Sequence, residues 1–185
     1  MSKHYSKLVE RKIKSKRLYR GVIDFFEDTV RLPNKGVSVR AYIGHHGAAA
    51  ILPIFENGDV ALVEQYRYPV NKTTLEIPAG KMKAGQTPIS CARAELSEET
   101  GYTAKTMKPL LSYCPSTAFS NEVLRIYLAR GLKAGKQHLD KDEFVNLKII
   151  PLKKAYELVG KGAIIDSKTI IALLYYKIFA EKSGT

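Results

Sequence analysis

The segment from Gly80 to Tyr102 constrains the fold of this chain more than any other. It reads GKMKAGQTPISCARAELSEETGY. Thr87 followed by Pro88 is typical of a helix start, because the threonine side chain caps and proline fits the first turn. Gly101 is typical of a helix end. The sequence therefore predicts one helix between these two signals, with a glycine-containing loop before it.

Three glutamates crowd one face of this predicted helix. Glu95, Glu98 and Glu99 fall at positions i, i+3 and i+4, which places them within an arc of about 100°. Such like charges repel one another, and a solvated acidic face is one interpretation. The neighbouring face is apolar, however, so packing would hold the carboxylates in fixed positions. Clustered carboxylates on a rigid element suit a hard divalent cation such as Mg²⁺, which lowers the pKa of an attacking water.

The length and charge of the chain set limits on the rest. With 185 residues, the chain is long enough for one domain with a substantial core and short for two. The net charge of +12 is concentrated in the first twenty residues. Such a basic arm either stays solvated or attracts polyanions. Nucleic acid is not the expected main ligand, because the arm contains no recognition motif.

Compartment and redox state are also expected from the sequence. No apolar run approaches the length of a membrane span, and the N-terminus lacks the apolar stretch of a signal peptide. Cys91 and Cys114 have no metal-ligand spacing and are expected as reduced thiols, although a disulfide stays open. We therefore expect a cytoplasmic protein with no membrane partner.

Apolar runs alternate with turn signals from about residue 20 onward. Two hairpins are predicted, around residues 33–36 and around residues 56–59. Further strands are predicted at residues 73–77, 107–113, 123–129 and 144–150. Two more helices are predicted, at about 152–159 and 167–180, and in the second of these a stripe of Ile170, Leu174 and Ile178 is expected in the core. These elements predict an α+β sandwich.

The Gly80–Tyr102 segment resembles the Nudix box, which is Gly, five residues, Glu, seven residues, then Arg-Glu-apolar-x-Glu-Glu-x-Gly-apolar. The seven positions that match in register are Gly80, Glu95, Leu96, Glu98, Glu99, Gly101 and Tyr102. Two positions depart from the pattern: Gln86 replaces the first Glu, and Ala94 replaces the Arg. Because an acid and a base are lost together and all three helix carboxylates remain, we expect a working enzyme.

The resemblance extends over roughly residues 18–180 to the ADP-ribose pyrophosphatase branch of this family. The segments that carry it are EQYRYPV, TLEIPAGK, CPSTAFSNE and DEFV. It implies a Nudix-type α/β/α sandwich with a mixed central sheet, a loop-helix-loop catalytic motif and an N-terminal antiparallel β-segment. It also implies two parts: residues 1–46, contributing to dimerisation, and a hydrolase domain at residues 47–185.

The same resemblance implies a role for each site residue. The metal ligands are Glu95, Glu99 and the Ala79 carbonyl, for two or three Mg²⁺ ions, with Mn²⁺ also possible. Glu98 and Glu143 are the catalytic residues. The substrate-binding residues are Arg40, Arg67, Glu76 and Glu122.

The implied reaction is hydrolysis of the pyrophosphate bond in ADP-ribose or another nucleoside diphosphate sugar. The expected oligomer is a homodimer that exchanges N-terminal strands. Two alternatives stay open: a Nudix enzyme acting on RNA 5′ ends or dinucleoside polyphosphates, and a non-catalytic ligand sensor. The basic arm favours the first, and only Gln86 and Ala94 favour the second.

Overall fold

The computed structural model describes residues 7–181. The strands are β1 Arg11–Tyr19, β2 Asp24–Arg31, β3 Val37–Gly44, β4 Ala48–Pro53, β5 Asp59–Arg67, β6 Lys72–Glu76, β7 Ala79–Lys81, β8 Tyr102–Tyr113, β9 Leu124–Ala134 and β10 Val145–Pro151. The helices are α1 Pro88–Thr100, α2 Leu152–Gly160 and α3 Ser167–Tyr175, which continues as a π-helix over Tyr176–Ala180. A short 3₁₀ helix, Tyr68–Val70, separates β5 from β6.

The chain folds into two compact units. The first contains the described residues up to His45 and the segment Ser116–Glu122, and the second contains His46–Pro115 and the residues from Val123 onward. In the first unit, β1, β2 and β3 form an antiparallel sheet in chain order. The predicted hairpin between β2 and β3 is confirmed, and Asn34 accepts a hydrogen bond from the Gly36 N–H within its turn.

Strand β1 was not predicted as a strand. All nine of its residues are exposed, so it shows no alternation between a buried and a solvated face. Its sequence, RKIKSKRLY, is dominated by basic residues, which are not the β-branched residues that usually indicate strands. Pairing with β2, from Arg11 opposite Arg31 to Tyr19 opposite Phe25, holds it in place.

The second unit contains two sheets. One has the strand order β7-β4-β9-β8, with β4 and β9 parallel and the other neighbours antiparallel, and the other has the order β10-β5-β6. The predicted hairpin of β4 and β5 is therefore wrong as a paired ladder. Its turn forms, since the Phe55 N–H bonds the Asp59 carbonyl, but each strand then enters a different sheet. Every residue of β4 is buried, as expected for a strand with a neighbour on each edge and packing on both faces.

The two faces of β4 divide the core. Ala48, Ala50 and Leu52 pack in a cluster with residues of α2 and α3. Ala49 and Ile51 pack in a second cluster with residues of α1. Successive strand residues point to opposite faces, so helices cover both sides. This confirms the predicted α+β sandwich with a mixed sheet.

Helix α1 has the predicted boundaries. The Thr87 side chain accepts a hydrogen bond from the Ser90 N–H, and Gly101 follows the helix with a φ of 74°, a left-handed conformation that glycine adopts without strain. The helix buries Cys91, Ala92 and Leu96, and Glu99 is buried with them. Both cysteines are free thiols. No described helix is long and apolar enough to cross a membrane.

The core stripe predicted for the last helix is wrong. Leu174 is 40% exposed and Ile178 is 63% exposed, and only Ile170 packs against the core. The buried positions are Lys168, Thr169, Ala172 and Leu173 of α3 and Tyr176 of the π-helix. The helix turns a face with two polar residues inward because Lys168 and Thr169 have buried partners, which are described below.

Candidate active site

One edge of strand β7 lies against the buried carboxylate of Glu99, a residue of helix α1. Glu99 is only 4% exposed, and its Oε2 accepts a hydrogen bond from the Ala79 N–H at 3.1 Å. The Pro78 carbonyl accepts a hydrogen bond from the Ile51 N–H of β4, and the Met82 N–H donates to the Gly47 carbonyl just before β4. Because backbone groups alternate between the two edges of a strand, the Ala79 carbonyl belongs to the same edge as its N–H. The carbonyl and the Glu99 carboxylate therefore lie on one side of β7.

Glu95 lies directly against Gly80. A Cβ atom at residue 80 would lie 1.9 Å from the Glu95 Oε1 and 2.1 Å from its Cδ, far inside van der Waals contact. Only a residue without a side chain leaves room for the carboxylate here. Gly80, the first glycine of the box, thus leaves the space that the Glu95 side chain occupies.

The carboxylates of Glu95 and Glu99 are electrostatically strained. Burial, and then the charges of Glu98 and Glu143, raise the pKa of Glu95 to about 7. Burial, and then the charge of Glu95, raise the pKa of Glu99 to about 8, although the Ala79 N–H and Lys168 act in the opposite direction. Both groups therefore favour a proton or a cation beside them.

The donor set fits a hard divalent cation. It consists of the half-buried Glu95 carboxylate, the buried Glu99 carboxylate and the Ala79 backbone carbonyl, and oxygen ligands of this kind are those that Mg²⁺ takes. Among residues 7–181, no group of three or more His, Cys, Asp or Glu side chains is arranged to hold a metal ion. Water and substrate oxygens would therefore complete the coordination of an ion bound here.

The loop between β9 and β10 brings further acids to the carboxylate cluster. It is anchored on the end of α1, where the His138 N–H bonds the Glu98 carbonyl at 3.0 Å and the Gln137 side chain bonds the Glu99 carbonyl at 2.5 Å. Glu143 contributes to the raised pKa of both Glu95 and Glu99. Its neighbour Asp142 is exposed and is not among the main causes of either shift. The structure thus brings Glu143 to the cluster.

Arg67 and Glu76 form a bidentate pair at the ends of β5 and β6. The Arg67 Nε and Nη2 atoms donate to the two Glu76 oxygens at 2.8 and 2.7 Å. Glu76 is 2% exposed and also accepts hydrogen bonds from Thr74 and Lys168. Burial alone would raise the pKa of Glu76, but Arg67, Lys168 and Thr74 together lower it to about 2. Its carboxylate is therefore ionised and fully engaged within the protein.

A pocket of about 420 Å³ opens beside this pair. Its lining residues are Arg67, Pro69, Val70, Thr74, Glu76, Ile165, Asp166, Ser167 and Lys168. The hydrogen bond to Glu76 is the main cause that raises the pKa of Arg67, and the charge of Glu99 adds to it, so the pocket lies within electrostatic range of the carboxylate cluster. A ligand with its phosphates at the cluster could extend a second group into this pocket.

The other two predicted substrate-binding residues lie in the first unit. Arg40 is engaged: its Nε donates to Glu10 at 2.9 Å and its Nη2 donates to the same carboxylate at 2.5 Å. Glu122 lies 3.8 Å from His45 Nδ1, and its neighbour Asn121 accepts a hydrogen bond from the His45 N–H. Their contact with substrate stays a prediction.

Gln86, which stands where the box pattern has its first Glu, makes hydrogen bonds within the loop before α1. The Gln86 Oε1 accepts a hydrogen bond from the Lys83 N–H at 3.0 Å, and the Gln86 N–H donates to the Lys83 carbonyl at 3.0 Å. A glutamate carboxylate could accept the same hydrogen bond, so the change from Glu to Gln leaves this loop contact intact. The arginine next to Ala94, Arg93, donates to the Ala104 carbonyl and does not replace the missing charge.

Sequence reasoning missed Lys168 and Asp166. Both lie on or next to α3, about seventy residues after the box. Nothing in the local sequence marks them, because a Lys after an Asp-Ser at a helix start is ordinary on a surface. Only the tertiary placement of α3 against β6 brings them to Glu76.

Comparison with known proteins agrees with this architecture. Residues 44–173 match the NUDIX domain. Over 172 residues the chain is 40% identical to a methanol dehydrogenase activator of Bacillus methanolicus, covering 91% of this chain and 93% of that protein. It is 37% identical to an ADP-ribose pyrophosphatase of Bacillus subtilis, covering 92% and 94%, and 34% identical to one of Mycobacterium tuberculosis, covering 88% and 80%.

A solved structure shares the fold. The crystal structure of an ADP compounds hydrolase aligns with a TM-score of 0.81 at 16% identity and covers 95% of this chain and 96% of that one. The family match covers most of the chain, and its boundaries enclose Gly80, the carboxylates of α1 and the loop that carries Glu143. The chain therefore belongs to the Nudix family of pyrophosphatases.

Proposed function

We propose that this Nudix enzyme hydrolyses the pyrophosphate bond of ADP-ribose or another nucleoside diphosphate sugar and releases a nucleoside monophosphate and a sugar phosphate. The observation that carries the proposal is the arrangement of Glu95 and Glu99 beside the Ala79 strand edge, next to a pocket that Arg67 lines. The ADP-ribose pyrophosphatases at 34% and 37% identity support this substrate class.

The proposed cofactor is Mg²⁺, two or three ions per site, with Mn²⁺ as a substitute. Glu95, Glu99 and the Ala79 carbonyl would hold the metal. When bound, the metal supplies charge neutralisation for the diphosphate and a lower pKa for the attacking water.

The side chains near the metal ligands have separate proposed roles. Either Glu143 or Glu98 orients the water and accepts its proton, and the electrostatic effect of both side chains on Glu95 supports this role. Arg67 binds the diphosphate and stabilises charge that develops on its oxygens, where positioned electrostatics contribute most. Glu76 acts on the substrate indirectly, because its two hydrogen bonds hold Arg67 in place.

Two further residues are proposed to bind the substrate. Arg40 would contact phosphate or base after exchanging its bond to Glu10, and Glu122 would reach the terminal sugar. The homodimer through N-terminal strands, the division at residues 46 and 47, and the cytoplasmic location belong to the same proposal. The exposed edge strand β1 supports a dimer, because an unpaired strand edge favours pairing with another chain.

A substrate panel tests the proposal. Purified protein is incubated with Mg²⁺ and, separately, ADP-ribose, GDP-mannose, UDP-glucose, a dinucleoside polyphosphate and a 5′-triphosphate RNA, and the products are separated by chromatography. We expect turnover of a nucleoside diphosphate sugar with release of the monophosphate. Preferred cleavage of the RNA, with a steep loss of binding as salt rises, would instead support RNA ends as the substrate. An absence of Mg²⁺-dependent turnover with every compound would support a ligand sensor.

A further inference from the structure

Lys168 occupies an unfavourable position for a lysine. It lies in the first turn of α3 and is 8% exposed. Lysines are almost never this buried unless they are paired, and the positive end of the helix dipole disfavours a cation in the first turn. Such a placement needs compensating contacts.

Two carboxylates supply this compensation. The Lys168 Nζ donates to Glu76 Oε2 and, at 3.0 Å, to Asp166 Oδ1. The same Glu76 oxygen accepts from Arg67 Nη2 at 2.7 Å. Glu76 therefore bridges a buried lysine and a more exposed arginine.

Asp166 also caps the helix. Its Oδ2 accepts from the Thr169 N–H at 2.9 Å and from the Thr169 hydroxyl at 2.6 Å, as N-cap residues do. Its charge still belongs to the cluster, since it pairs with Lys168 and acts on Arg67. The two cations and two carboxylates are therefore balanced, and without Lys168 the group would carry one net negative charge.

We infer that Lys168 is a positioning residue for phosphate binding: it neutralises Glu76, so that the carboxylates around Arg67 are balanced and do not repel a phosphate that Arg67 binds. The Nε and one Nη2 hydrogen of Arg67 bond Glu76, and its other N–H groups make no hydrogen bond within residues 7–181. Those donors are available to an anion in the adjoining pocket. This inference rests on the proposed function for the identity of the substrate, and only for that.

The test compares Lys168→Met with Lys168→Arg. The methionine keeps most of the side-chain length and removes the charge, whereas the arginine keeps the charge. We expect Lys168→Met to raise the KM for ADP-ribose about tenfold and to weaken binding of an ADP analogue with a methylene bridge between its phosphates by a similar factor. Lys168→Arg should recover most of both. Lys153→Met, which removes an exposed lysine of α2, is the matched control and should leave both values unchanged.

A second variant separates charge balance from a structural role. If Lys168 acts by neutralising Glu76, then Glu76→Gln combined with Lys168→Met should restore the charge balance of the wild type and recover analogue binding relative to Lys168→Met alone. The same double variant keeps the inference testable if Lys168→Met fails to fold, because it no longer buries an underpaired carboxylate. In an Arg67→Ala background, Lys168→Met should have no further effect on analogue binding.

Three outcomes would overturn the inference. These are wild-type analogue binding by Lys168→Met, an equal loss of binding when Arg67 is already alanine, and no recovery in the Glu76→Gln double variant. Analogue binding is measured by titration calorimetry and does not depend on which sugar nucleotide is hydrolysed. A failure of the proposed substrate class therefore shows in the turnover panel, and a failure of this inference shows in the calorimetry.

Discussion

Glu99 Oε2 accepts a hydrogen bond from the Ala79 N–H at 3.1 Å, which joins the last glutamate of α1 to the strand edge in front of the helix. An amide oxygen can accept the same bond, so Glu99→Gln should keep the local structure and remove a charged metal ligand.

We expect Glu99→Gln to lower turnover at least about a hundredfold, or about 3 kcal/mol in activation free energy. Steady-state kinetics at saturating Mg²⁺ measure the loss. Glu157→Gln, at an exposed position of α2, is the control. Turnover within threefold of wild type would exclude Glu99 from the metal site.

Gly80→Ala should inactivate the enzyme without unfolding it. The new Cβ would lie 1.9 Å from the Glu95 Oε1, but that oxygen ends a flexible side chain, so the carboxylate can move aside at modest cost. We expect a loss of turnover of about a hundredfold or more, in the range of removing a ligand, with a small change in melting temperature. Gly160→Ala, where a Cβ meets nothing within 4 Å, should leave both unchanged. An active Gly80→Ala variant would show that Glu95 is not needed where the structure places it.

Glu143→Gln should lower kcat more than it changes KM. Glu143 lies within electrostatic range of Glu95 and Glu99, and a glutamine there cannot accept a proton from water. We expect kcat to fall at least about tenfold, in line with typical contributions of general bases. Asp142→Asn, at the exposed neighbouring position, should have little effect. If the Asp142 variant loses more activity than the Glu143 variant, the assignment of the base is wrong.

The metal-free protein should lose stability as pH rises. The folded protein holds a proton on Glu99 up to about pH 8, whereas the unfolded chain releases it near 4.5. Between these values the folded state binds more protons, so the free energy of unfolding falls with increasing pH. Melting temperatures from pH 5 to 8 in a chelating buffer measure this slope.

The slope should be smaller in Glu99→Gln, because that group no longer titrates. Added Mg²⁺ should flatten the wild-type curve by replacing the proton. Equal slopes for wild type and Glu99→Gln would contradict the raised pKa of Glu99.

Restoring the missing box charges should not rescue activity. Gln86 already accepts the Lys83 N–H bond, so Gln86→Glu adds only a charge and should leave turnover similar or lower. Gln86→Glu with Ala94→Arg should do better than the sum of the single variants, with a coupling of about 0.5 to 3 kcal/mol. A double-mutant cycle on turnover at saturating Mg²⁺ measures it. A tenfold gain from Gln86→Glu alone would mean that the natural box is impaired, and zero coupling would mean that the two positions act independently.

Local signals explain what could be predicted from the sequence. Thr87, Pro88 and Gly101 predict α1 within one residue, since caps act over a single turn. The glutamates at i, i+3 and i+4 share a face for the same geometric reason. The structure adds the reason for Gly80, which is the space that Glu95 needs.

Long-range packing explains what could not be predicted. The turn after β4 was recognisable, but which sheet β5 enters depends on β10, more than eighty residues later. The apolar stripe of the last helix led to a wrong prediction of its buried face, because Leu174 and Ile178 are exposed. Lys168 and Thr169 are buried instead, since they bond to residues far away in the sequence. Spacing within a helix shows which residues share a face, and it does not show which face is buried.

The hydrogen bond from the Ile77 N–H to the Thr169 hydroxyl, 2.8 Å long and fully buried, has a consequence for biosynthesis. Ile77 lies two residues before Ala79, and its partner is synthesised ninety-two residues later. A nascent chain that has just completed α1 contains every residue of the box but lacks the element that fixes the strand in front of it. The strand in front of the box is therefore fixed only after α3 has been synthesised, so assembly of the site has to wait for a segment made long after the box itself.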